Sequence, residues 1–150
     1  DHFKRLSDGR VSIFVLTPHD EQQIPTQEQT AAFELITGTQ YQVRDALLIR
    51  LVEWYAAYRA ELIGYSHLTP YELEYYMPEI LYPAAFRELI VLDRIWLRST
   101  SKDNSAFWGM EFRCFWDQEH GLGVKMHRDQ ILEIGDGDVL AYWSDGEVFE

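Results

Sequence analysis

Cysteine is almost missing from this chain. Cys114 stands alone among 150 residues, so no internal disulfide can form, and a reduced, cytoplasmic setting is the simplest expectation. Long apolar runs are missing as well. None approaches the ~20 residues of a membrane-spanning helix, and no segment reads as a secretory signal, so no membrane partner is expected. Motifs that announce chemistry are also lacking. There is no Gly-x-Ser-x-Gly elbow, no His-Glu-x-x-His pair, no zinc Cys/His pattern and no calcium loop. Gly121-x-Gly123 lacks the third glycine and following helix of a phosphate cradle. The sequence displays no reaction, and it supplies no catalytic residue, cofactor or metal site.

Positive charge is scarce. Thirteen Lys and Arg stand against twenty-five Asp and Glu, a net charge of −12. After Arg128 no Lys or Arg occurs, while Asp129, Glu133, Asp136, Asp138, Asp145, Glu147 and Glu150 follow. Such a field opposes a phosphate backbone, so no nucleic-acid partner is expected. It attracts basic proteins or cations over a distance, and it equally serves as a solubilising surface.

What is present suits a folded core: 47% hydrophobic residues, 15% of the chain aromatic. With no repeat, linker or low-complexity tract, one domain over 1–150 is expected, its helical half about 25–80 and its β-meander about 94–135. Val11 to Leu16 reads as a strand between a Ser7-Asp8-Gly9 turn and Pro18. Thr26 and Gln29 form a capping box for a helix carrying Ala32, Phe33 and Ile36, with Gly38 as its stop. Val43, Leu47, Leu51, Tyr55, Tyr58 and Leu62 recur at helical spacing and predict a second helix ending at Gly64. Thr69-Pro70-Tyr71-Glu72 opens a third, short helix that Pro78 ends. Pro83 to Leu92 reads as a turn of helix feeding a strand from Arg94.

Strands follow in close order. Ile95–Ser99, Phe107–Trp116, Leu122–His127 and Gln130–Ile134 are separated by short polar turns. Helices segregated from strands predict an α+β fold: an antiparallel β-meander of four to five strands with two to three helices on one face. Trp108, Met110, Phe112, Cys114 and Trp116 alternate onto one face, which is expected to lie against the Leu47–Tyr58 helix.

The densest segment is the connector Trp116-Asp117-Gln118-Glu119-His120-Gly121-Leu122-Gly123-Val124. Alternation on both sides makes it a hairpin turn. Asp117 can accept hydrogen bonds from nearby amides, Gly121 tolerates positive φ, and Trp116 would anchor the turn to the core. A set of residues that builds a difficult turn explains a strong signature without any chemistry, so Trp116, Asp117, Glu119, His120, Gly121 and Gly123 are assigned to structure.

This segment, with Ile131-Leu132-Glu133-Ile134-Gly135 after it, resembles a bacterial family of uncharacterised α+β domains. The hallmark of that family is a Trp-Asp-x-Glu-His-Gly-Leu-Gly hairpin near the C-terminus. The similarity is specific over Phe107–Gly135 and looser over the helical half. Small domains of this general kind accompany secreted-toxin loci as immunity proteins, so the resemblance implies an immunity protein whose partner is a basic toxin domain.

Two function classes emerge. The first is a non-enzymatic acidic binding protein, most concretely an immunity protein that occludes its toxin. Its candidate contacts are Tyr71, Glu72, Glu74, Tyr75, Tyr76, Asp136 and Asp138, since Tyr is enriched at interfaces and the acids complement a basic partner. The second is a metal-dependent or acid–base hydrolase centred on Asp117, Glu119 and His120, with His127, Asp136 and Asp138 as further ligand types. The spacing matches no metal motif, and His2, His19 and His67 fall in loops without a partner in sequence.

Overall fold

In a computed structural model, which describes residues 10–16, 24–65 and 67–144, five strands form one sheet in the order β1-β2-β3-β4-β5. They are β1 (Ser12–Val15), β2 (Ile90–Lys102), β3 (Ser105–Cys114), β4 (Leu122–His127) and β5 (Gln130–Asp136). The helices are α1 (Gln27–Tyr65), α2 (Pro70–Tyr76), a 3-10 turn (Pro83–Glu88) and α3 (Asp138–Ala141). The Ser7-Asp8-Gly9 turn, Pro18, His2, His19, Asp145, Glu147 and Glu150 lie outside the described residues.

The class is α+β, but the sheet is mixed. β2 to β5 form the expected antiparallel meander, whereas β1 pairs parallel to β2, Ser12 with Arg94 and Val15 with Leu97. Parallel neighbours need a crossover, and here α1, α2 and the 3-10 turn supply it. The meander turns follow their local chemistry. Asp103 and Asn104 both take positive φ, 50° and 61°, the mirror-image turn that a two-residue hairpin requires.

The two capping boxes form as their sequences predict. Thr26 Oγ1 accepts from the Gln29 amide, and Gln29 Oε1 accepts from the Thr26 amide. Gln29 does more: its buried side-chain amide donates to the carbonyls of Leu16 and Arg98, at 2.7 and 3.0 Å. Helix start and the β1–β2 pair are thereby tied together. Thr69 and Glu72 cap α2 reciprocally.

The first helix breaks just past Gly38, at the expected stop, and the second follows it without a connecting loop. The two together make α1, Gln27–Tyr65, kinked at Thr39 (φ −124°, ψ 16°). The Thr39 hydroxyl donates to the Leu35 carbonyl at 2.7 Å, which satisfies an acceptor that the kink would otherwise strand.

Helices cover both faces, a second departure from the expected one-sided layer. α1 lies on the first face, burying Val43, Leu47, Leu51 and Tyr55 against Ile95, Leu97, Trp108, Met110, Cys114, Val124 and Met126. This is the helix–sheet contact the alternation predicts. α3 seats on the opposite face, over β4 and β5. It can do so because the strands present glycine there: a Cβ on Gly109 would meet Leu140 at 2.7 Å, one on Gly123 would meet Val139 at 2.6 Å, and one on Gly135 would meet Val139 at 3.3 Å. Gly123 and Gly135 are direct cross-strand partners.

Candidate functional site

The signature turn is built from its own backbone. Gly121 N donates to the Asp117 carbonyl at 3.0 Å, and the Asp117 carboxylate accepts from the His120 amide at 2.9 Å. Gly121 has φ 71°, and a Cβ on it would lie 2.4 Å from the Phe112 carbonyl oxygen, so only glycine fits. Trp116 packs edge-on against Tyr55, ring centroids 5.0 Å apart. Cys114 is buried and its thiol lies 3.3 Å from the Asp117 carbonyl. Burial pushes the thiol up to about 12, so it stays protonated and inert as a nucleophile.

Two members of the turn also face outward from it. Glu119 and His120 line a cleft of about 560 Å³ on the second face of the sheet. Arg98, Glu111 and Trp96 come from β2 and β3, while Asp138 and Leu140 come from α3. The cleft exists because the turn and α3 touch: Gly137 N donates to Gly121 O at 3.2 Å, and a Cβ on Gly137 would fall 1.8 Å from the His120 carbonyl oxygen. Asp136 turns the chain here, its carboxylate accepting from the Asp138 amide.

Polar groups in the cleft are partly engaged. Glu111 accepts from the Trp96 indole at 2.9 Å, and Arg98 donates to the Trp143 carbonyl at 2.7 Å while its guanidinium lies over the Trp143 ring. Behind Trp143, Lys125 is buried and pairs with Glu133 at 2.8 Å. His120 Nδ1 lies 3.2 Å from both Asp117 carboxylate oxygens. That carboxylate raises the His120 pKa and orients its ring. Chemically, an oriented imidazole beside a carboxylate and a guanidinium can bind a polar ligand or exchange a proton. Among the described residues, no group of three or more His, Cys, Asp or Glu converges to hold a metal ion.

A pH dependence follows. The folded pKa of His120 lies above its unfolded value, ordinarily ~6.5, so the Asp117–His120 pair stabilises the fold fully below that value. The contribution fades as pH rises through the folded pKa. Asp117→Asn keeps the acceptor for the His120 amide and removes the charge. The Tm gap between wild type and Asp117→Asn is expected to be widest near pH 5.5 and to narrow by pH 8. A constant gap across that range would show the pairing to be energetically idle.

The predicted partner contacts fall at one end of the sheet, in two groups. Tyr71, Tyr75 and Tyr76 project from α2, Tyr71 80% exposed, and Tyr75 and Tyr76 cluster with Phe115 just beyond the end of β3. Asp136 and Asp138 mark the end of β5, beside the cleft. Glu72 is engaged in the α2 cap, where the Thr69 amide and hydroxyl hold it below the usual carboxylate range. Glu74 pairs with Arg59 at 3.0 Å. Trp96, Arg98, Glu111 and Trp143 were not singled out by sequence. Their one signal is that Arg94, Trp96 and Arg98 alternate along β2 on the face away from the core.

Comparison with known proteins places the chain by sequence alone. A family model described as "Domain of unknown function (DUF6985)" matches residues 2–142, so the chain belongs to that family. No curated protein matches, and no solved structure does. No helix among the described residues is long and apolar enough to cross a membrane.

Proposed function

We propose that this protein is a non-enzymatic, acidic binding protein that covers a basic protein partner, acting in the cytoplasm as an immunity protein that occludes a bacterial toxin. The observation carrying this reading is the exposed aromatic surface of α2 and the segment after it. Tyr71, Tyr75, Tyr76, Leu81 and Tyr82 are all exposed in a chain of net charge −12. Isolated exposed apolar residues are ordinary, but a run of large aromatics beside carboxylates has the composition of an interface. Long-range attraction would speed capture of a basic partner, and desolvated tyrosines would slow its release.

The test is capture from host lysate at moderate salt, followed by measured affinity for the retained protein. A single stoichiometric basic partner is expected. Tyr75→Ala and Tyr76→Ala should each weaken binding by about tenfold or more, the scale of an interface hot spot. A preparation that retains nothing, or binding unmoved by both substitutions, would sink the proposal.

A second reading is favoured by one feature, the Asp117–His120 pair at the cleft. An acid–base hydrolase would use His120 as base, Asp117 to orient it and Glu119 or Arg98 to hold substrate. It predicts turnover of some polar substrate that His120→Gln abolishes at pH 8, where loss of the charged pair with Asp117 costs little Tm.

A further inference from the structure

A second cavity lies on the other side of the sheet, far from the signature turn in character. It occupies about 420 Å³ between the kinked part of α1 and strands β1 to β3. Trp108, Met110 and Phe112 form its floor, Ile36 and Leu47 its helical wall. Native cores carry few voids larger than a water molecule. An apolar cavity of ~150 Å³ already stays dry and accepts benzene, and this one is nearly three times larger, within the ~300–1,000 Å³ range of ligand sites. Water inside would meet almost no hydrogen-bonding group.

Among the described residues, polar groups line it at one place. Thr37, Gln40 and Arg44 line the cavity from α1, close to the kink at Thr39. In a chain so rich in carboxylates, the described residues of the lining include no Asp or Glu and a single guanidinium. Arg44 itself is exposed, paired with the neighbouring Asp45 at 2.7 Å and set over the Tyr41 ring. An exposed pair of that kind holds its partners weakly, so a ligand carboxylate can replace Asp45. Val11, Ile13 and Phe33, all partly exposed, mark the open side.

We propose that this cavity binds an aliphatic carboxylate, its chain against Trp108 and Leu47 and its head group at Arg44. The site is separate from the tyrosine surface and does not depend on a protein partner. The experiment is calorimetric titration of the full chain with decanoate below its micellar concentration, with decan-1-ol as the uncharged comparison. Saturable one-to-one binding of decanoate is expected, with Arg44→Gln weakening it about tenfold and leaving the alcohol unchanged. Ile36→Trp, which fills the cavity, should abolish binding of both. Ile13→Trp narrows the open side instead and serves where Ile36→Trp fails to fold. No saturable binding to wild type overturns the proposal. Equal affinity for the alcohol, or indifference to Arg44→Gln, overturns the carboxylate assignment. Unchanged binding in a folded cavity-filling variant overturns the location.

Discussion

Trp108→Ala is expected to lower the free energy of unfolding by about 3–5 kcal/mol. Its indole is 1% exposed, so truncation removes a large buried apolar surface. Collapse around the gap is hindered, since Trp108 already borders the apolar cavity and the new void would merge with it. The Nε1–H also donates to the Arg128 carbonyl at 2.9 Å, in the β4–β5 turn where Arg128 itself takes positive φ. Trp108→Phe separates the two contributions: it keeps much of the ring and loses that hydrogen bond, for a cost of about 1–2 kcal/mol. Against a total stability of about 5–15 kcal/mol, the alanine variant would be marginally folded. Urea unfolding is the measurement, with the slope compared between variants. A loss under about 1 kcal/mol for alanine would contradict the packing of α1 on this face.

Gly137→Ala is the second large effect, and its origin is entirely tertiary. The local backbone, φ −59° and ψ −24°, suits alanine better than glycine. The obstacle is the His120 carbonyl oxygen, 1.8 Å from where the Cβ would stand. A backbone oxygen cannot rotate away, so the turn and α3 must separate and the Gly137–Gly121 hydrogen bond must go. A loss of about 1–3 kcal/mol is expected, together with opening of the 560 Å³ cleft. Gly38→Ala is the matched control. Nothing lies within 4 Å of its Cβ, and it sits inside α1, so alanine should stabilise by about 0.5–1 kcal/mol. Thermal unfolding of the three proteins side by side decides the matter. If Gly137→Ala melts with wild type, the turn does not rest on α3.

The contrast between these glycines shows what a reader of sequence can and cannot reach. Features whose causes lie within a few residues were legible: the capping boxes at Thr26 and Thr69, the alternation of β3, and the positive φ of Gly121 in its turn. Features set by partners distant in sequence were not. Nothing near Val11–Leu16 says that it pairs parallel to β2, because strand direction depends on the crossover and not on alternation. Gly109, Gly123 and Gly135 read as weak strand residues until Val139 and Leu140 are seen lying on them. Gly38 does precede the break at Thr39, but its sequence neighbourhood does not show that the second helix follows without a loop.

The candidate site divides the same way. Asp117 accepts from the His120 amide, Gly121 takes positive φ and Trp116 packs against Tyr55, all contacts of a local kind. Glu119 and His120 gain a different meaning only when Arg98 and Glu111 arrive from neighbouring strands and Asp138 from the following helix. The tyrosines of α2 were recognisable from composition, but their exposure depends on what the rest of the fold leaves uncovered.

The parallel seating of β1 also bears on the order in which the chain assembles. The β2–β5 meander closes through short turns and meets little entropic resistance. β1 can register against β2 only once the helical crossover has brought Ser12 to Arg94. Assembly is therefore expected to finish at this edge, with the apolar cavity, which has Val11 and Ile13 on its rim, completed last.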